Sequence, residues 1–467
     1  MGSEADTGEE PQGKGTREYG RRVGLLTIGV GLTGLLTYVY FFIAAYQLDP
    51  VEYGELTVLW SAVFITVSTL YRPVDQLLSR QISENIEEGR SEVGPVKLGA
   101  RIQSVLALAF AALALLLKGP LEQGLFGGNS EIYWVFFGAV LFYAASYFAR
   151  GYLAGLQKFG LFTSLILSES FIRTMFAAVV ALGILSGQSI IALGIVVAPF
   201  LSLMVVPLAI TKRSRRQIQE TTETSPRTEG DREMSLVGGA GFVGSVFLVM
   251  FSEQVFLNAG PLVVRGIEGI AAAGFIFNVL MIARAPLQLF QAISTSILPH
   301  LTALHHSTAE GSEAEFHRSV RAVLGGVAAF TGLTALVVIL AGPQLMQLAF
   351  SDKFSYARVD LLLVTAGMGL YLAAVTINQA CLAQGQARRV GIRWISCAVF
   401  FVAWTLIPLI QNGNLRVEIG FTLTALILLL SLVLIYRKPR GIEADLPLEG
   451  TSEQIETKLA GLEEGTP

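Results

Sequence analysis

Among the ionisable side chains in the long apolar runs of this 467-residue chain, six stand away from the run ends or pair there: Arg72, Asp75, Glu169, Arg173, Glu253 and Arg284. A charge at the centre of a bilayer costs roughly 2.5 to 3.5 kcal/mol on insertion scales, so a charge that persists there faces a partner or a watery path. Glu169 and Arg173 stand four residues apart with the acid first, the favourable order on one helical face, and read as an intramembrane pair that satisfies itself. Asp75 follows Arg72 by three residues and can pair with it locally. Arg284 has no acid within four residues on its own helix. It needs an anion from elsewhere, and a guanidinium fork matches phosphate oxygens. Glu253, followed by Gln254 and Asn258, offers oxygen ligands for an exchanging H+ or a Na+. Asn378, Gln379 and Gln384 are polar enough to line a path for a polar solute, and interhelical hydrogen bonding suits them equally.

The runs that must position these groups number about twelve, each near the length that spans a bilayer. They are Val23 to Tyr46, Gly54 to Leu78, Leu98 to Leu117, Ile132 to Leu153, Leu161 to Leu185, Ile190 to Ile210, Met234 to Leu257, Ala272 to Leu298, Val323 to Leu340, Leu361 to Leu382, Ile392 to Ile410 and Val417 to Tyr436. Of the 33 Lys and Arg, 25 fall in one alternate set of gaps, Arg150 and Lys158 among them. Five fall in the other set (Lys118, Arg265, Lys353, Arg358 and Arg416) and three inside runs. By the positive-inside rule both termini are expected in the cytoplasm and the protein in the cytoplasmic membrane. Charged residues make up 15% of the chain and mean hydropathy is +0.58, which excludes an ordinary soluble domain with its roughly 25% charged residues. The net charge of -3 carries no information about partners, and no nucleic-acid partner is expected. Cys381 and Cys397 sit within or beside apolar runs and suggest neither disulfide nor metal site. His305 and His306, adjacent in a polar gap with His300 and His317, make poor metal ligands.

The expected fold class is all-α membrane protein. The polar tails are residues 1–20 and 441–467, the latter acidic and without an assigned role. A polar linker, 211–233, divides six runs in an N-lobe (21–210) from six in a C-lobe (234–440). Faint internal matches cross that divide: Leu153-Ala154 with Gln157 against Leu382-Ala383 with Gln386, and Tyr53-Gly54 against Ala273-Gly274. Six runs per half would give a parallel pseudo-repeat about an axis along the membrane normal, with a transport path between the halves. Outer gaps are short, which argues against a membrane-embedded glycosyltransferase or ligase with a catalytic outer domain.

Four stretches together resemble the polysaccharide transporter branch of the multidrug/oligosaccharidyl-lipid/polysaccharide (MOP) flippase superfamily, which includes O-antigen flippases. They are Pro50-Val51-Glu52-Tyr53-Gly54-Glu55-Leu56, Gly151 through Gly160, Ala272-Ala273-Gly274-Phe275 and Ile297-Leu298-Pro299. The resemblance implies two six-helix lobes around a central cavity and outward movement of a lipid-linked oligosaccharide by alternating access. The implied protein is a transporter and not an enzyme. Its partners would be membrane lipid, the lipid-linked sugar and glycan-assembly enzymes; it would be a monomer with no cofactor beyond a transported H+ or Na+. In that frame Arg72 and Arg284, from corresponding helices, would hold the substrate pyrophosphate, with Asn378 and Gln379 toward the sugar. Where the family usually shows Asp in the seventh span, this chain has Glu253. A cation-coupled efflux carrier for drugs is the alternative within the superfamily; it would favour an acidic cavity, whereas two of the charges here are arginines.

Overall fold

In a computed structural model, residues 12–209, 236–281 and 312–437 are described, and helix dominates all three stretches. The helices are α1 (Gln12–Gln47), α2 (Pro50–Leu70), α3 (Arg72–Glu87), α4 (Val93–Leu116), α5 (Lys118–Phe126), α6 (Ser130–Gly155), α7 (Phe159–Ala181), α8 (Gln188–Ser202) and α9 (Leu236–Glu268). After α9 come α10 (Ile270–Met281), α11 (Ser312–Phe350), α12 (Arg358–Ala383), α13 (Ala387–Leu406) and α14 (Gly413–Tyr436). Among the described residues eleven spans are long and apolar enough to cross a membrane, and α10 is a shorter apolar helix where the eighth run begins. The outside of these helices is apolar: Leu108, Leu116, Leu340 and Leu434 are all about two-thirds exposed or more. A surface this rich in exposed Leu suits lipid and not water. The chain is a multi-pass membrane protein with the all-α class expected of it.

Two compact units divide the chain. The first takes the described parts of Met1–Glu223 with Arg265–Ile293 and Met346–Ser355; the second takes the rest. In the first, α1 packs on α7, α7 on α8, and α6 on both α3 and α8. In the second, α14 packs on α12 and α13 around Phe256, Tyr371, Trp394, Phe401 and Phe421. The linker and both tails named above fall largely outside the described residues, although α1 already begins at Gln12.

The stretch Pro50 to Leu56 has a local reason for each residue. Asp49 caps α2 by accepting from the amides of Val51 and Glu52 at 2.8 and 2.9 Å, and Glu52 returns an acceptor to the Asp49 amide at 3.1 Å. Pro50 opens the helix, where its missing N–H costs nothing. Tyr53 donates to Asn278 Oδ1 of α10, and a Cβ on Gly54 would drive into the Ile270 carbonyl oxygen. A Cβ on Gly274 would in turn meet the Tyr53 ring at 2.9 Å and Gly54 Cα at 3.4 Å. The two matched glycine stretches are therefore in direct contact within the first unit.

One expected helix is two. The run from Gly54 to Leu78 breaks at Tyr71, because Pro73 in the first turn of α3 has no N–H with which to continue α2. The Leu-Ala-to-Gln match is a helix stop. Lys158 N–H donates to Leu153 O and Gln157 N–H to Ala154 O, as Gln386 N–H does to Cys381 O and Gly385 N–H to Leu382 O. Both are Schellman caps, with left-handed residues Gln157 (φ 54°) and Gly385 (φ 73°), one residue out of step with the letter match. Similar caps at Gly89 and Gly183 show that this geometry is general helix termination.

Gly151 and Gly155 let α6 lie against α3: a Cβ on Gly151 would stand 2.6 Å from the Asp75 carbonyl oxygen, and one on Gly155 2.7 Å from Ile82 Cβ. Close backbone approach of this kind holds helices together where lipid supplies no hydrophobic drive. Gly151→Val is expected to separate the two helices and lower stability by about 1 to 3 kcal/mol. The drop in melting temperature of purified protein checks this; an unchanged value would show that the contact does not hold α3 in place.

Candidate functional site

In the first unit the intramembrane charges gather around one carboxylate. Tyr143, Ser146, Tyr147 and Arg150 recur at helical spacing along one face of α6, and α7 opposes them with Glu169, Ser170 and Arg173. Glu169 Oε1 accepts from the Tyr143 hydroxyl at 2.8 Å. Its Oε2 accepts from Ser146 at 3.2 Å and from Arg150 Nη2 at 2.7 Å. Arg173 Nη1 stands 3.9 Å from Oε1, at the edge of ion-pair range. The intrahelical pair thus forms, yet the short charge-assisted bond goes to Arg150 on the neighbouring helix.

Arg173 is held by neutral groups instead. Its Nη1 donates to the Tyr143 oxygen at 3.3 Å, and its Nη2 to Ser170 at 3.1 Å and to Thr37 of α1 at 3.2 Å. The guanidinium carbon lies 4.6 Å from the centre of the Trp60 ring and 5.8 Å from that of Tyr40. Ring quadrupoles supply the attraction that a second carboxylate would otherwise give. Arg150 likewise lies 4.5 Å over Tyr147. Neither Arg150 Nε nor Arg173 Nε has a hydrogen-bond partner among the described residues. Side-chain exposure separates the two: 3% for Arg173, 16% for Arg150. Arg150 alone of the pair can be reached from outside the cluster without rearrangement.

The cluster extends to α3. Asp75, whose backbone touches Gly151, lies in the fields of both Arg72 and Arg150. Arg72 itself is half-buried in the first turn of α3. Three arginines and two carboxylates thus gather around α6, and the rings of Trp60, Tyr40 and Tyr147 line them with apolar faces.

The other expected residues are placed as follows. Arg284 lies outside the described residues, as do His300, His305 and His306. In the second unit Asn258 Nδ2 donates to Gln254 Oε1 at 3.1 Å, and both residues are buried. Glu253, half-buried, points about 100° round the helix from Gln254. Asn378 accepts from Trp394 Nε1 at 2.9 Å, while Gln379 Oε1 accepts from nothing among the described residues. Gln384 accepts from Gln386 at 2.9 Å. Sequence reasoning missed Arg150, grouped with the gap cations, and the rings of Tyr40, Trp60, Tyr143 and Tyr147. The polar periodicity on one face of α6 was the available signal. It also passed over Glu418, near the start of the last run.

Residues 19–305, more than half of the chain, match the family described as polysaccharide biosynthesis protein. The chain belongs to that family. Among solved structures, the fold is similar to that of an inward-facing multidrug resistance MATE family transporter of the MOP superfamily, over 95% of this chain and 99% of the other, with 13% identity and a TM-score of 0.58. The Vibrio cholerae MATE transporter VcmN in its bent form matches over 91% of this chain and 97% of its own, with 16% identity and a TM-score of 0.55. At such identity the likeness concerns the fold alone. No curated protein matches the chain.

Removing the central carboxylate would strand Arg150 and Arg173. Glu169→Ala is expected to destabilise the protein by about 3 to 5 kcal/mol, the usual cost of an uncompensated buried charge. Thermal unfolding of purified variant and wild type measures it; equal melting temperatures would mean that Glu169 does not neutralise the arginines.

Proposed function

We propose that this polysaccharide biosynthesis family member is a flippase that carries a lipid-linked oligosaccharide from the cytoplasmic to the outer leaflet by alternating access. The observation that carries the reading is Arg150, which keeps 16% of its side chain exposed at the edge of the Arg72, Asp75, Glu169 and Arg173 cluster, set among aromatic rings. A diphosphate linkage is the anion such a substrate brings, and guanidinium groups bind it bidentately. Arg150 joins Arg72 and Arg284 as a pyrophosphate ligand. The protein acts as a monomer in the cytoplasmic membrane with both termini inside, and receives its substrate from glycan-assembly enzymes. Efflux of cationic drugs is the rival reading, supported by the likeness to MATE transporters, but a cation would be repelled by Arg150.

In proteoliposomes loaded with a fluorescent isoprenyl diphosphate saccharide, Arg150→Ala and Arg284→Ala are each expected to slow translocation about tenfold or more at normal protein level, the worth of one charge-assisted contact. Lysine at either position should restore part of the rate. Full activity of both alanine variants, or no translocation by wild type alongside efflux of a cationic dye, would overturn the reading.

Ion coupling is assigned to Glu253 with Gln254 and Asn258. Glu253→Gln is expected to leave substrate binding intact and to abolish the response of transport to an imposed H+ or Na+ gradient. An unchanged gradient response in vesicles would remove Glu253 from coupling.

A further inference from the structure

Glu418, in the second turn of α14, is fully buried, and neither of its carboxylate oxygens accepts a hydrogen bond among the described residues. Bare carboxylates do not persist in such surroundings; they take a proton or a cation. Arg416, two residues earlier, gives no relief. Its Nε and Nη2 donate to the Ile410 carbonyl and its Nη1 to that of Thr405 at 3.1 Å, so its guanidinium is spent on the turn between α13 and α14. Among the described residues the other helices packed on α14 offer no counter-charge here, and α11 meets α14 at its far end, where Phe316 and His317 touch Tyr436. α12 contributes Asp360, a half-buried acid whose field reaches Glu418, beside the exposed Arg358 in the same first turn. On α13 no charged side chain follows Arg393. α9, which reaches α14 through Phe256 on Phe421, carries Glu253 one turn from that contact.

A second acceptor sits one turn back on the same face. Asn414 Oδ1 is buried and accepts from nothing among the described residues. Residues four apart on a helix are surface neighbours. Asn414 carries donors on Nδ2, but its Oδ1 accepts nothing as it is oriented, and a protonated Glu418 carboxyl has the hydrogen that it lacks. A metal cation fits less well: the pair offers three oxygens where a hard cation takes about six, and no group of three metal-binding side chains occurs among the described residues.

We propose that Glu418 is a proton-binding site of the second unit, separate from the arginine cluster and from Glu253, with its carboxyl O–H donating to Asn414 Oδ1. The site stands on burial and missing partners alone. Only its consequence, proton release and uptake during the transport cycle, rests on the flippase reading.

Infrared spectroscopy of the purified full-length protein in lipid nanodiscs tests it without any transport assay. At neutral pH the wild type should show a carbonyl stretch from a neutral carboxylic acid that is absent in Glu418→Gln, shifted in Asn414→Ala and indifferent to exchange of potassium for sodium. Glu418→Asp serves as the second variant should the Gln form fail to fold; it should retain a displaced band. Absence of the band in wild type, its survival in Glu418→Gln, or its loss on adding sodium would overturn the proposal. In proteoliposomes that translocate the saccharide, Glu418→Gln should lose at least half of the acceleration produced by a pH gradient while Glu418→Asp keeps it.

Discussion

A carboxylate buried between guanidinium groups has to be satisfied by protein alone, since lipid offers it nothing. Glu169 meets that demand with three donors from α6 and one cation at longer range on its own helix. Much of the first unit follows. α6 must present Tyr143, Ser146 and Arg150 on one face, α7 must bring Glu169 and Arg173 level with it, and α1 and α2 must supply Thr37, Tyr40 and Trp60 to hold the second arginine. In the proposed cycle an arriving anion meets Arg150, the partly exposed member of the cluster.

Glycine makes that geometry reachable. Bonds of under 3 Å between helices need close backbones, and Gly151 and Gly155 bring α6 onto α3, while Gly194 brings α8 to within 3.2 Å of the Arg173 carbonyl oxygen for any added Cβ. The family-like stretches turn out to be packing and capping devices: a capping box at Asp49 and Glu52, a glycine contact between α2 and α10, a Schellman stop after α6. They fix where helices begin, stop and touch. Chemistry is then carried by side chains that those contacts bring into register.

The helical class was largely legible in the sequence, because hydropathy alone forces helices of membrane-spanning length. Pro73 marked the break at Tyr71, although the run read as one helix. The nine-residue α5 lay hidden in what reads as a short loop from Lys118 to Glu131. The site was legible only in part. Glu169 and Arg173 stood out as neighbours on one helix, but Arg150 stands close to Lys158 near a helix end and looks like any other interfacial cation. Which carboxylate it meets depends on the packing of α6 against α7, a tertiary fact with no local trace. Glu418 illustrates the converse. Nothing in the sequence sets it apart beside Arg416, and only the path of that guanidinium back to Ile410 and Thr405 shows that the acid does not pair with it.

Two units with different electrostatic characters emerge. The first gathers arginines and carboxylates among aromatic rings; the second holds the half-buried Glu253 on α9 and the fully buried Glu418 on α14. Such a division suits a carrier that binds an anionic substrate in one unit and a monovalent cation in the other. Calorimetric titration of a short-chain isoprenyl diphosphate into the purified protein, wild type against Arg150→Gln, tests the central point most directly. Wild type should bind with an affinity that falls as salt rises, and the variant should bind about tenfold more weakly. Equal affinities, or wild-type binding unaffected by salt, would contradict a cationic diphosphate site built on Arg150.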